Sequence, residues 1–322
     1  MKSTACALVF ATLLCGSPAL ATVPNFITSW GTSAQGLAID AANRIYVVDT
    51  SNNRIRVFSS PGVFLTQWGS YGTGAGQFDD PRDVAVNGSG QCFVTDGNND
   101  VTPLFWRIQK FTTPGAFLTQ WGSYGNSSGQ FANCFGVALD GTGNVYVADS
   151  GNNRIQKFTE AGAFVALWGS YGTLPGQFQE PRGVAVDAAS GRVYVTEFLG
   201  QRVQVFTTGG AYLTQWGSAG SGLGRFNTPL GVAVDANGFV YVADTGNHRI
   251  QVFSPEGTFI ISWGSFGTGP GQFQFPNDVA FDSQGNIYVS DSGNQRVQVF
   301  EGLGVITPTK TATWGRIKAL YR

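Results

Sequence analysis

An acidic residue and an arginine recur together along this chain. Asp149 precedes Arg154 and Asp244 precedes Arg249, and the same five-residue spacing separates Asp49 from Arg54, Glu197 from Arg202 and Asp291 from Arg296. A carboxylate beside a guanidinium can hold a ligand or serve acid–base chemistry. A group needed once at a site, however, has no reason to appear in every copy of a motif. Asp and Asn side chains cap tight turns by accepting nearby backbone N–H groups, and Arg pairs with an adjacent carboxylate. The pairs therefore read as turn-stabilising. His248, the one histidine, takes a position filled elsewhere by Asn53, Asn153, Gln201 and Gln295, so it reads as a turn residue. A single histidine excludes a three-histidine zinc site and argues against a Ser-His-Asp site. The Gly-Thr-Gly-x-Gly-Gln-Phe segments at 72–78 and 267–273 look like phosphate-cradling loops, but they lack the Gly-Lys-Ser/Thr ending and the helix that such a loop needs.

The elements that position these groups follow from repetition. Trp-Gly recurs at Trp30, Trp68, Trp121, Trp168, Trp216 and Trp263. The acidic position falls at Asp49, Asp96, Asp149, Glu197, Asp244 and Asp291, at spacings of 47, 53, 48, 47 and 47. Each copy holds four short apolar runs separated by Gly, Asn, Asp and Pro. Short strands with such punctuation indicate an all-β protein, and four strands in a period of roughly 45 residues indicate a propeller blade. Six copies predict a six-bladed β-propeller of four-stranded antiparallel blades over 22–306. The sixth copy lacks its Trp-Gly strand, and residues 25–31 supply one, so the N-terminal strand is expected to close the ring. Leu303–Ile306 at that edge is the competing scheme.

Composition agrees. Glycine is 45 of 322 residues, about twice the usual share, charged residues are 12% and aromatics 13%. The formal net charge of −1 removes the basic balance of a nucleic-acid binder. Residues 1–21 carry Lys2, a short apolar run and a small-residue ending, the pattern of a cleaved export signal. An extracellular, periplasmic or cell-surface location follows as an expectation. The apolar run is too short to span a bilayer, and Leu14 before Cys15 is too large for a lipoprotein signal. Export would permit a bond between Cys92 and Cys134; two free buried thiols are the alternative. The Pro/Thr-led tail, 307–322, fits no blade. A sorting signal, a docking peptide and an unstructured remnant are all open for it.

The copies resemble NHL repeats. Residues 241–253, Tyr-Val-Ala-Asp-Thr-Gly-Asn-His-Arg-Ile-Gln-Val-Phe, carry the signature most fully, with 146–158 and 288–300 close to it. The resemblance implies the propeller and leaves function open, because that family includes scaffolds, RNA-binding domains, sensors and lyases. Its zinc-dependent amidating lyases use several histidines, from which this chain departs.

Variation inside a constant frame points to a working face. The blade-to-blade loops and the second-to-third-strand hairpins should emerge together. Just before each inner strand the residues differ: Gln35, Arg82-Asp83, Phe135, Arg182, Leu230 and Asn277-Asp278. These should ring the channel mouth, with Tyr71, Tyr124, Tyr171 and Phe266 on the same side. In blade two the Asp96-to-Arg107 spacing is 11, and the extra residues bring Phe105 and Trp106, an expected apolar anchor for a partner, with folding back over the blade as the competing reading. In blade four Glu197-Phe-Leu-Gly200 replaces the usual Asp-Ser-Gly-Asn. The reading is an exported, non-catalytic, monomeric binding propeller. It would engage a protein, peptide or small polar ligand through Arg82, Asp83, Phe105, Trp106, Arg182, Asn277 and Asp278, with no nucleic acid and no cofactor. The alternative is a lyase or lactonase-like hydrolase at the same mouth. Calcium on Asp83, Asp278 or Glu197 remains open, since hard cations need only oxygen ligands.

Overall fold

The structure, a computed structural model, describes residues 22–98 and 104–303. The expected export signal and the C-terminal tail lie outside the described residues. Val23–Gly302 form six four-stranded antiparallel sheets. Blade five shows the pattern: Val232–Val234, Val240–Asp244, Arg249–Phe253 and Phe259–Trp263, from channel to rim. The inner strands neighbour one another around a ring that closes from Pro276–Phe281 of blade six to Leu37–Ile39 of blade one.

Closure follows the sequence expectation. Phe26–Gly31 pairs antiparallel with Arg296–Phe300, matching Trp30 to Val297 and Phe26 to Phe300. Blade six is thus built from both ends of the repeat array, which leaves no blade short of a strand.

The core lies between blades, because strand residues alternate faces. Tyr46 and Val48 of blade one pack with Phe78, Val84 and Val94 of blade two, whereas Ile45 and Val47 pack with Tyr288, Val297 and Val299 of blade six. Phe78, Phe131, Phe178, Phe226 and Phe273 leave the connecting loops and are fully buried in these seams. Each rim tryptophan reaches the next blade. Trp30 covers Gly62, where a Cβ would stand 2.5 Å from the indole and φ is +125°, so both space and backbone demand glycine.

The acid–arginine pairs hold the hairpins to the loops. Asp244 Oδ2 accepts from Arg249 Nε at 2.7 Å and from Gln251 Nε2 at 2.9 Å, while Oδ1 accepts the Asn227 N–H at 2.8 Å. Arg249 donates onward to the carbonyls of Ser221, Gly222 and Arg225. His248 is left-handed at the hairpin end, and its Nδ1 accepts the Phe275 N–H at 3.1 Å. Asn53 and Asn153 accept the N–H of Asp80 and Glu180 in the same way. The histidine is a turn residue doing the work of an asparagine.

Candidate functional site

The chain reaches the channel at six equivalent points, and the side chains there vary from blade to blade. Gln35, Arg82, Phe135, Arg182, Leu230 and Asn277 form an outer ring. One residue further along lie Gly36, Asp83, Gly136, Gly183, Gly231 and Asp278. Together they line a cavity of about 270 Å³ at the long-loop end of the channel. Five of the residues expected to bind, Arg82, Asp83, Arg182, Asn277 and Asp278, are therefore brought together, and Phe105 and Trp106 are not among the lining residues.

One side of the outer ring is aromatic and cationic. Two guanidiniums lie over the Phe135 ring, that of Arg82 at 5.0 Å and that of Arg182 at 3.6 Å from its centroid. Phe198 flanks Arg182 at 4.8 Å. Each arginine turns one edge to a carboxylate two residues back, Arg82 to Asp80 and Arg182 to Glu180 at 2.7 Å. Asp80 and Glu180 are both left-handed, which folds the chain back far enough to pair them. The Nε–H of each arginine is buried without a hydrogen-bond partner among the described residues. Burial pulls the Arg182 pKa down; Glu180 opposes this and the neighbouring Arg82 adds to it. On another side of the ring Asn277 donates to Gln35.

The inner ring is acidic. Asp83 accepts the N–H of Val84 at 2.8 Å and, across the seam, that of Val137 at 2.9 Å. Asp278 accepts the N–H of Val279 and of Leu37, both at 2.8 Å. The glycines make room for them. A Cβ on Gly36 would fall 2.4 Å from Asp83 Oδ1, and one on Gly231 2.5 Å from Asp278 Oδ1. Burial first, and the charge of Asp278 second, raise Asp83 well above the usual carboxylate range. Burial raises Asp278 to about 7 against the opposing pull of its N–H bonds.

Two expectations are corrected. Trp106 is not a partner anchor: it is 0% exposed and packs with Phe93, Ile108, Phe131 and Cys134 between blades two and three. The cause is that the blade-two hairpin continues two pairs past Asp96–Arg107, to Gly97 with Trp106 and Asn98 with Phe105, and alternation turns the indole inward. Phe105 stays half-buried, 5.0 Å from the Arg107 guanidinium. Second, Glu197 stands apart from the mouth carboxylates as an oxygen donor. It is buried at its hairpin, paired with Arg202 and accepting from Gln204 and the Gln179 N–H. Of the two states open for the cysteines, the structure has free thiols, with Cys92 in the seam of blades one and two and Cys134 in that of blades two and three. Tyr71, Tyr124, Tyr171 and Phe266 are all exposed on the loops.

Sequence reasoning missed Phe198, Asp80 and Glu180 as parts of the site. The signal for Phe198 was present, since it sits in the irregular hairpin of blade four.

The NHL repeat model matches residues 32–58, 131–158, 178–206, 226–253 and 273–300. The chain belongs to the NHL-repeat β-propellers. The matched segments fall in five of the six blades; the remaining one, blade two, carries the lengthened hairpin. The NHL chain is 32% identical to the brain tumor protein of Drosophila melanogaster over 119 residues, 37% of this chain and 10% of that protein. It is 35% identical to NHL repeat-containing protein 3 of Mus musculus over 131 residues, 40% of this chain and 33% of that protein. The matched part thus spans a third or less of those relatives. Among solved structures, an auxiliary nutrient binding protein from Bacteroides thetaiotaomicron superposes with a TM-score of 0.62 at 13% identity, covering 85% of this chain and 70% of that one. A gluconolactonase from Xanthomonas campestris gives 0.60 at 13%, covering 90% and 99%. Virginiamycin B lyase from Staphylococcus aureus gives 0.58 at 12%, covering 85% and 98%. At these identities the likeness is one of fold. No helix among the described residues is long and apolar enough to cross a membrane.

Proposed function

We propose that this NHL propeller is an exported, non-catalytic binding protein that holds a small polar ligand in its mouth cavity. The observation that carries the reading is two part-exposed guanidiniums gathered on one aromatic ring at the cavity: Arg82 and Arg182 lie 5.0 and 3.6 Å from the Phe135 centroid. A ligand carboxylate in the cavity would accept charge-assisted hydrogen bonds from the part-exposed guanidinium N–H groups. The ring of Phe135 offers the same ligand a flat apolar wall. At about 270 Å³ the cavity is at the small end for ligand pockets, roughly 300–1,000 Å³, so a compact molecule fits better than a folded partner. The nutrient binding protein among the fold neighbours is consistent with this reading. Export rests on residues 1–21 alone and is tested by fractionating the native host.

The test is calorimetric titration with small carboxylates, acetate to hexanoate, and neutral polyols. Saturable binding of a carboxylate, weakened about tenfold or more by Arg182→Gln with little change in melting temperature, supports the proposal. Absence of binding to every probe, or equal binding by the variant, rejects it.

A second reading has its own observation. Raised carboxyl groups in a cavity mark candidate acid–base catalysts, and Asp83 and Asp278 are both raised. A lyase or lactonase-like hydrolase at this mouth would use them. Turnover of a lactone by the wild type and not by Asp278→Asn would move the assignment there.

A further inference from the structure

The cavity has two chemically opposite parts. Its outer ring offers two part-exposed guanidiniums beside Phe135, and its inner ring offers two carboxylates from blades two and six. Asp83 lies against Gly36, and Asp278 binds the N–H of Leu37, so the two acids bracket the start of blade one. Among the described residues neither acid has an ion-pair partner. Arg82 and Arg182 are turned to Asp80 and Glu180 instead. A carboxylate has about four acceptor positions. Backbone N–H groups use two on each aspartate, leaving acceptors for a donor in the channel.

We propose that the ligand is a small zwitterion, an amino carboxylate whose carboxylate meets the Arg82–Phe135–Arg182 arc and whose ammonium reaches the Asp83–Asp278 floor. This rests on the binding reading above and narrows it to one ligand class. A dicarboxylate of the same size would set one negative end against the acidic floor. A neutral polyol would satisfy the arginine donors and leave the floor without a counter-charge. A bare amine would leave the two guanidiniums without an anion in the cavity. An amino carboxylate answers both parts, and a cavity of about 270 Å³ limits it to a free amino acid or a molecule of similar size.

The spacing of the charges is measured with a ladder of ω-amino acids, from glycine and β-alanine through 4-aminobutyrate and 5-aminovalerate to 6-aminohexanoate. Each is titrated calorimetrically into the purified chain at pH 8, above the value of about 7 to which Asp278 is raised. The matching alkanoates and alkylamines form the control series. The expected result is one chain length that binds about tenfold or more tighter than both its alkanoate and its alkylamine. Asp278→Asn and Asp83→Asn should each erase that advantage. If one variant does not fold, the other and the wild-type ladder still decide. An alkanoate binding as tightly as every amino acid overturns the zwitterion and leaves the binding reading standing. An alkylamine binding as tightly overturns it and points to the floor alone. No binding in any series overturns both readings.

Discussion

The same pair of residue types has two fates in this molecule, and the surroundings decide which. The carboxylate of Asp244 is buried, yet it has Arg249, Gln251 and a backbone N–H around it. Asp278 is held only by backbone N–H groups, and burial raises it to about 7. The first is a fastening and the second a desolvated acid at the cavity floor. Removing the arginine should show the difference. Arg249→Ala strands a buried carboxylate and frees three loop carbonyls. Breaking a buried pair from one side costs about 3–5 kcal/mol, so the melting temperature should drop by roughly 10 °C in calorimetry. Ligand affinity at the mouth should hold. Lost affinity with unchanged melting would reverse the assignment of these hairpins.

At the level of the element, the blade-two hairpin shows what length alone leaves undecided. Trp106 is a seam residue, so Trp106→Ala opens a cavity and should cost about 3–5 kcal/mol, read as a lower denaturation midpoint with mouth binding intact. A midpoint within error of wild type would place the indole outside the seam. The strands themselves were legible, because Trp-Gly and the acidic position recur at nearly constant spacing. The six mouth positions were legible as the places where a constant frame carries changing side chains. Phe198 was not assigned to the mouth, because it belongs to a hairpin, and only the fold shows that the blade-four hairpin reaches the channel. Asp80 and Glu180 were not, because their pairing with Arg82 and Arg182 needs a left-handed turn before a proline. Trp106 was misjudged because six inserted residues do not reveal how many lengthen the ladder and how many form its tip. Cys92 and Cys134 sit at different strand positions, the second strand of one blade and the first of the next, and that offset sends them to separate seams.

For the whole molecule, buried acids set the pH response. Burial raises Asp278 to about 7 and Asp96 to about 6, and it also moves Asp83, Asp149, Glu197 and Asp235 upward. Asp140, held by Asn144 and Thr142, moves down. A raised group binds its proton more tightly when folded. Its contribution is complete below the unfolded value of about 4 and fades as pH climbs through the folded value. The melting temperature should therefore decline from about pH 4 to pH 7, and Asp278→Asn should flatten the last part of that decline. A stability that rises over this interval would contradict the burial of these acids.

Ring closure is the other property that belongs to no single blade. Phe26–Gly31 is the rim strand of blade six, yet Trp30 also reaches blade one, 5.7 Å from Phe58 and over Gly62. The strand thus seals a blade and a seam together. Deleting residues 23–31 leaves Arg296–Phe300 as an open edge and uncovers Tyr288, which lies 6.2 Å from Trp30. An open edge is a site for unwanted pairing. Trp30→Ala should cost about 3 kcal/mol, and the deletion should cost more, because it removes the strand's hydrogen bonds as well. Limited proteolysis should then cut the deleted form first near the seam of blades six and one. A synthetic peptide of residues 23–31, added in excess, should restore part of the melting temperature and slow that cleavage. A deletion variant that melts within error of the full chain would mean the ring is held by its inner strands alone.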